Sequence, residues 1–221
     1  MAETALGLGI YTFREAARFS RLRPQRVQRW FVPSSKRPSE PILTSDFDPI
    51  DGSQAISFLN LMDVFVFGQL REHGVSLKTL RRVYQRLRDD IGKPHPFAHQ
   101  RLTTDGREVF LRVASREGQD ELIEVLNRQR VMPEIIEPFL KQLDYDPATQ
   151  LARRWRIADC VVLDPAISLG KPIVEAVGIK TDVLSSAYFA NGKNAEKVAW
   201  WYNVTLADVQ AAVAFEKDLA A

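Results

Sequence analysis

Between Tyr11 and Phe31 the chain reads YTFREAARFSRLRPQRVQRWF. Arg14, Arg18, Arg21, Arg23, Arg26 and Arg29 fall inside this stretch, and Lys36 and Arg37 follow it. Gln25, Arg26, Gln28 and Arg29 form one polar set. A guanidinium presents paired donors that suit guanine or a phosphate, and a glutamine amide can pair with adenine. Arg23, just ahead of that set, suits a phosphate, and Lys36 and Arg37 could clamp the neighbouring backbone. Arg23, Gln25, Arg26, Gln28, Arg29, Lys36 and Arg37 are therefore the candidate DNA-binding residues. The same pattern also suits a generic, solvated helical pair.

A second set lies near the other end. Trp200, Trp201 and Tyr202 are too many large rings for the small unit around them to bury alone, so either a small local core or a partner must cover them. Catalytic chemistry is not assembled anywhere. His95 and His99 are four apart, but Pro96 stands between them and no third ligand is evident, whereas zinc takes three or four. Leu6-Gly7-Leu8-Gly9 precedes a helix but follows no strand, so it does not read as a nucleotide loop. Ser168 has no nearby base, and Asp144 and Asp146 suit turn chemistry. We expect no enzyme, no metal and no cofactor.

The elements that must carry these residues follow from local pattern. Thr12 with Glu15 makes a capping box, and Phe13, Ala16, Ala17 and Phe19 share a helical face. Pro24 suits the first turn of a second helix, whose apolar positions are Val27, Trp30 and Phe31. Residues 32–57, rich in Pro, Ser, Asp and Gly, read as a loop or wing. Phe58 to Leu70 is apolar almost all round and should be buried on several sides, with Gly74 as a C-cap. Ser76 caps a helix with the stripe Leu77, Leu80, Val83, Tyr84 and Leu87, and GKPHPF ends it. In QRLTTDGREVFLRV, Asp105-Gly106 precedes an alternating Val109, Leu111 and Val113, which predicts a β-hairpin. PEIIEPFLKQL predicts a short helix interrupted near Pro138. LARRWRI and CVVLDP predict strands, followed by an extended PIVEAVGIKT. Helices follow at roughly 182–190, 194–201 and 205–219, with Asn194 and Thr205 as caps.

The chain has 221 residues, 45% of them hydrophobic and 26% charged, with a net charge of +2. No run of eighteen apolar residues marks a membrane span, and the opening MAETALGLGIY lacks a secretory pattern. The one cysteine, Cys160, cannot form an internal disulfide, which suits a reducing cytoplasm; it is expected to be a small buried hydrophobe. Charge is uneven. Residues 1–90 carry 14 Lys and Arg against 10 Asp and Glu, residues 91–150 carry 8 against 10, and residues 151–221 carry 8 against 8. The excess sits between Arg14 and Arg37, so a polyanion partner is expected there and a different task for the neutral tail.

The opening stretch resembles the start of MerR-family winged helix-turn-helix regulators: a Tyr-Thr start, an Ala-rich first helix and a second helix ending in an aromatic. LREHGVSLKTLRRVYQRL resembles a later segment of that family. Two features depart from it. The loop between the blocks is longer than the usual wing, and GKPHPF stands where a long dimerising helix is expected. The stretch from Val161 to Glu216 resembles a domain of unknown function, number four-three-three, through Asp164-Pro165, Gly170-Lys171-Pro172, Gly178, Gly192, Tyr202, Thr205 and Asp208-Val209. The usual Gly-Thr-Arg of that family reads AVGIKT here. The order of the two blocks resembles long VapB-type antitoxins of bacterial toxin–antitoxin pairs.

The resemblance implies a mainly α fold with small β elements: a MerR-like winged helix-turn-helix DNA-binding domain over 1–92, a connecting region with the β-hairpin and a short helix over 93–157, and a small helical antitoxin-like domain over 158–221. It implies a cytoplasmic antitoxin that binds operator DNA as a homodimer, represses its own operon and neutralises a PIN-like ribonuclease toxin. Lys171, Lys180, Trp200 and Trp201 are the candidate toxin-binding residues. The alternative is a stand-alone MerR-like transcriptional regulator whose carboxy-terminal domain dimerises or senses a ligand. A third reading is a structural adaptor whose arginines serve solvation.

Overall fold

The computed structural model describes residues 7–32, 40–49, 53–116, 118 and 136–220, with 104–107 described by backbone alone. It is mainly helical with small antiparallel sheets. Contacts divide the chain into two compact units, Tyr11–Arg153 and Arg154–Ala221 with the leading residues to Ile10. The division falls between Arg153 and Arg154, inside the strand Ala152–Ala158.

The first unit opens with β1 (Tyr11–Thr12), α1 (Phe13–Phe19) and α2 (Pro24–Phe31). Both halves of the Thr12–Glu15 capping box form, so the start of α1 has its orphan donors satisfied. Ala16, Ala17 and Phe19 are buried, as are Val27, Trp30 and Phe31 of α2. Arg21, with φ of +54°, turns the chain between the two helices. The Leu22 amide donates to Ala17 O at 2.8 Å and closes that turn.

β2 (Ala55–Ile56) pairs antiparallel with β1, Tyr11 opposite Ile56 and Thr12 opposite Ala55. This two-strand ladder ties the start of α1 to the start of α3 (Phe58–Glu72). α3 is buried on several sides, and Phe67 packs against Trp30 at 4.7 Å between centroids. α4 (Leu77–Ile91) is capped by Ser76 and ends at Gly92, whose φ of +71° suits a residue without Cβ. A short 3₁₀ turn over Pro96–Ala98 follows.

The expected hairpin is corrected here. Arg101–Arg116 forms one helix, α5. Leu102, Val109, Phe110, Val113 and Ala114 are all buried, a spacing that fits a 3.6-residue period. The alternation of Val109, Leu111 and Val113 was misleading because Phe110, between them, is also inward. α6 (Glu137–Lys141), with Pro138 in its first turn, and β3 (Leu143–Tyr145) complete the unit. The residues before Ile136 in the expected short helix lie outside the described residues.

The second unit carries most of β4 (Ala152–Ala158), then β5 (Val161–Leu163) and β6 (Pro172–Val174), each antiparallel to the next. α7 (Thr181–Ala190), α8 (Ala195–Tyr202) and α9 (Leu206–Ala220) pack on β6 around Val174, Leu184, Val198, Val209 and Val213. Asn194 caps α8 by accepting from the Lys197 amide at 2.8 Å, and Thr205 with Asp208 caps α9. Cys160 is exposed, contrary to expectation. It sits with φ of +57° in the β4–β5 turn.

Candidate functional site

α2 divides into two faces. Val27, Trp30 and Phe31 point inward, and Phe31 meets Phe13 of α1 at 5.3 Å between centroids. Trp30 O accepts from the amides of Ile42 and Leu43 at 2.8 and 3.0 Å, so the returning loop fixes the end of the helix. Arg23, Gln25, Gln28 and Arg29 are exposed. Arg26 is half-buried, and its guanidinium pairs with Glu72 at the end of α3. The structure thus places five of the candidates on or beside one outward face, with one of them tied back to its own unit. Lys36 and Arg37 lie outside the described residues.

The carboxy-terminal candidates are more scattered. Lys171 Nζ donates to Ile10 O at 3.1 Å, and Lys180 is 3.6 Å from Asp182. Both lysines are therefore engaged within their own unit. The two tryptophans are not in the core: Trp200 is 80% exposed and Trp201 51%. Helical geometry explains this. Ala195, Val198 and Ala199 share the inner face of α8, and at about 100° per residue Trp200 lies roughly 150° away from its centre. Lys197 Nζ sits 4.7 Å from the Trp201 ring centroid, covering part of it. Leu206, which opens α9, and Tyr202 are also exposed for their type. Exposed rings of this kind favour protein contact.

A buried polar network in the first unit was not anticipated. Asp63, on α3, is completely buried, and His95 is 3% exposed. His95 Nδ1 lies 2.8 Å from Asp63 and its Nε2 3.0 Å from Asp46. Tyr84 donates to Asp63 at 2.7 Å, and the Phe97 amide donates to the other Asp63 oxygen at 3.2 Å. Asp46 also accepts from Ser57, the cap of α3. Burial works to lower the His95 pKa, but its bonds to Asp46 and Asp63 prevail and it is pushed up to about 9. Burial works to raise Asp46, yet the His95 hydrogen bond and charge hold it below the ordinary value. Burial dominates at Asp63 and raises it despite His95, Tyr84 and the Phe97 amide. The network is a charged clasp. It joins the 43–47 loop, the start of α3 and the 94–97 turn, and so helps set the frame on which α2 is held. Its sequence trace is His95 between Pro94 and Pro96.

Comparison with known proteins adds three findings. Residues 161–215 match a family model described as "Protein of unknown function (DUF433)". The chain is 28% identical over 222 residues to a Mycobacterium tuberculosis (strain ATCC 25618 / H37Rv) protein named "Putative antitoxin VapB45", covering 92% of each. It is also similar to the solved structure described as "X-ray crystal structure of Rv2018 from Mycobacterium tuberculosis", with a TM-score of 0.73 at 26% identity, over 92% of this chain and 96% of that one. The carboxy-terminal resemblance read from the sequence therefore stands, and the likeness extends through the first unit.

Proposed function

We propose that the chain is the antitoxin of a bacterial type II toxin–antitoxin pair. Its first unit, a MerR-like winged helix-turn-helix in this reading, binds operator DNA as a dimer and represses the operon. Its second unit holds a PIN-like ribonuclease and blocks it, both in the cytoplasm. The observation that carries the reading is the end-to-end similarity to a protein named as an antitoxin. Two surfaces of different chemistry support it: an Arg and Gln face on α2 and an aromatic cluster on α8. The first suits phosphates and base edges, and the second suits an apolar protein surface.

The test is co-expression of the chain with the reading frame beside its own in the host genome. The neighbour alone should arrest growth, and the chain should relieve the arrest and co-purify with it. The chain should also shift a duplex spanning its own promoter, and Arg29→Ala should cost about 1–3 kcal/mol on that duplex if Arg29 reads a base. Promoter binding without any effect on the neighbour would favour the stand-alone regulator.

A further inference from the structure

We propose that Glu72 sets the DNA affinity of the α2 face by holding Arg26 away from the phosphates. This rests on the DNA-facing reading above. Arg26 and Glu72 form an ion pair between α2 and the last residue of α3, with side chains 41% and 47% exposed. Among the described residues, Arg23 and Arg29 on the same face make no such pair. A guanidinium paired with a carboxylate brings no net charge to a phosphate. To engage one, Arg26 must leave Glu72, and the freed carboxylate then faces the polyanion at close range.

The arrangement is built into the fold rather than left to long, loose side chains. Trp30 of α2 packs on Phe67 of α3, and Gly74, with φ of +97°, ends α3 just beyond Glu72. The two backbones are therefore fixed by core packing, whatever the surface pair does. An exposed ion pair contributes little to folding, so substituting either partner leaves the unit folded. Arg23 and Arg29 would supply the basal electrostatic attraction, and the Glu72–Arg26 pair would subtract from it. A weakened reader discriminates better, because the sequence-independent part of binding is the part reduced.

The test uses the full chain and a fluorescein-labelled 24-base-pair duplex of mixed sequence, with anisotropy read from 50 to 300 mM KCl. Wild type, Glu72→Gln, Arg26→Gln, the double variant and Arg23→Gln/Arg29→Gln are compared. Release of one more cation should tighten binding of Glu72→Gln by up to roughly tenfold at low salt. It should also steepen the slope of log affinity against log salt by about 0.9. The gain should vanish in the double variant, since it acts through Arg26. Glu72→Gln that binds no better than wild type, or that keeps its gain without Arg26, overturns the proposal. Either result leaves the DNA reading intact so long as wild-type binding is lost in Arg23→Gln/Arg29→Gln. No binding by any variant overturns both.

Discussion

His95 offers the sharpest test of what holds the first unit together. His95→Gln keeps most of the side-chain volume and one hydrogen bond but removes the positive charge between Asp46 and Asp63. Asp63 is completely buried, so its carboxylate would then lack a cation in a place where water cannot substitute. Breaking such a pair from one side costs about 3–5 kcal/mol. Linkage gives a figure of the same order. A folded value of about 9 against the ordinary 6.5 corresponds to about 3 kcal/mol of stabilisation of the folded state. The folded value is the higher one, so this contribution is whole below the unfolded value and fades as pH rises through about 9. Urea unfolding followed by far-ultraviolet circular dichroism at pH 6.5, 8 and 9.5 measures it. Wild type should lose stability across that range. The variant should begin about 3–5 kcal/mol lower, and its deficit should narrow as pH rises. On the usual scaling for a chain of this size, the melting temperature at pH 6.5 should drop by roughly 6–20 °C. A deficit under about 1 kcal/mol at pH 6.5, or one that does not shrink by pH 9.5, would refute the charged clasp.

Two further outcomes follow from packing. Trp200→Ala and Trp201→Ala should leave the melting temperature within about 2 °C of wild type, since both rings are exposed, yet should abolish co-purification with the neighbouring gene product. Retained complex in both variants would move the partner surface elsewhere. A Cβ at Gly68 would lie 2.5 Å from a Leu22 methyl, so Gly68→Val should destabilise by about 1–3 kcal/mol through overpacking between α3 and the α1–α2 turn. Gly68→Ala should be nearly neutral, because its gain in helix propensity of about 1 kcal/mol offsets the shift of one flexible side chain.

Much of the local structure was legible in the chain itself. The capping boxes at Thr12 and Thr205, the cap at Asn194 and the helix start at Pro24 depend on residues within a turn of one another, and each formed as read. The outward set on α2 was legible for the same reason, since Val27, Trp30 and Phe31 fix which face turns inward. The three carboxy-terminal helices carry clear periods and short connections.

What failed or was missed depended on distant partners. Asp105-Gly106 is a strong local turn signal, but burial of Leu102, Phe110 and Ala114 favours a continuous helix, and no short-range rule weighs that gain. Lys171 meets Ile10 O across 161 positions of sequence, a contact that no short-range rule supplies. Sequence alone determined where α1, α2, α4, α8 and α9 start and which face of α2 is apolar, because those rest on contacts three or four residues apart. Only the tertiary structure decided that Asp46, Asp63 and His95 meet, and that Arg26 meets Glu72. Those pairs join residues 32 to 49 apart, and their energy comes from shared burial or proximity that no local pattern encodes.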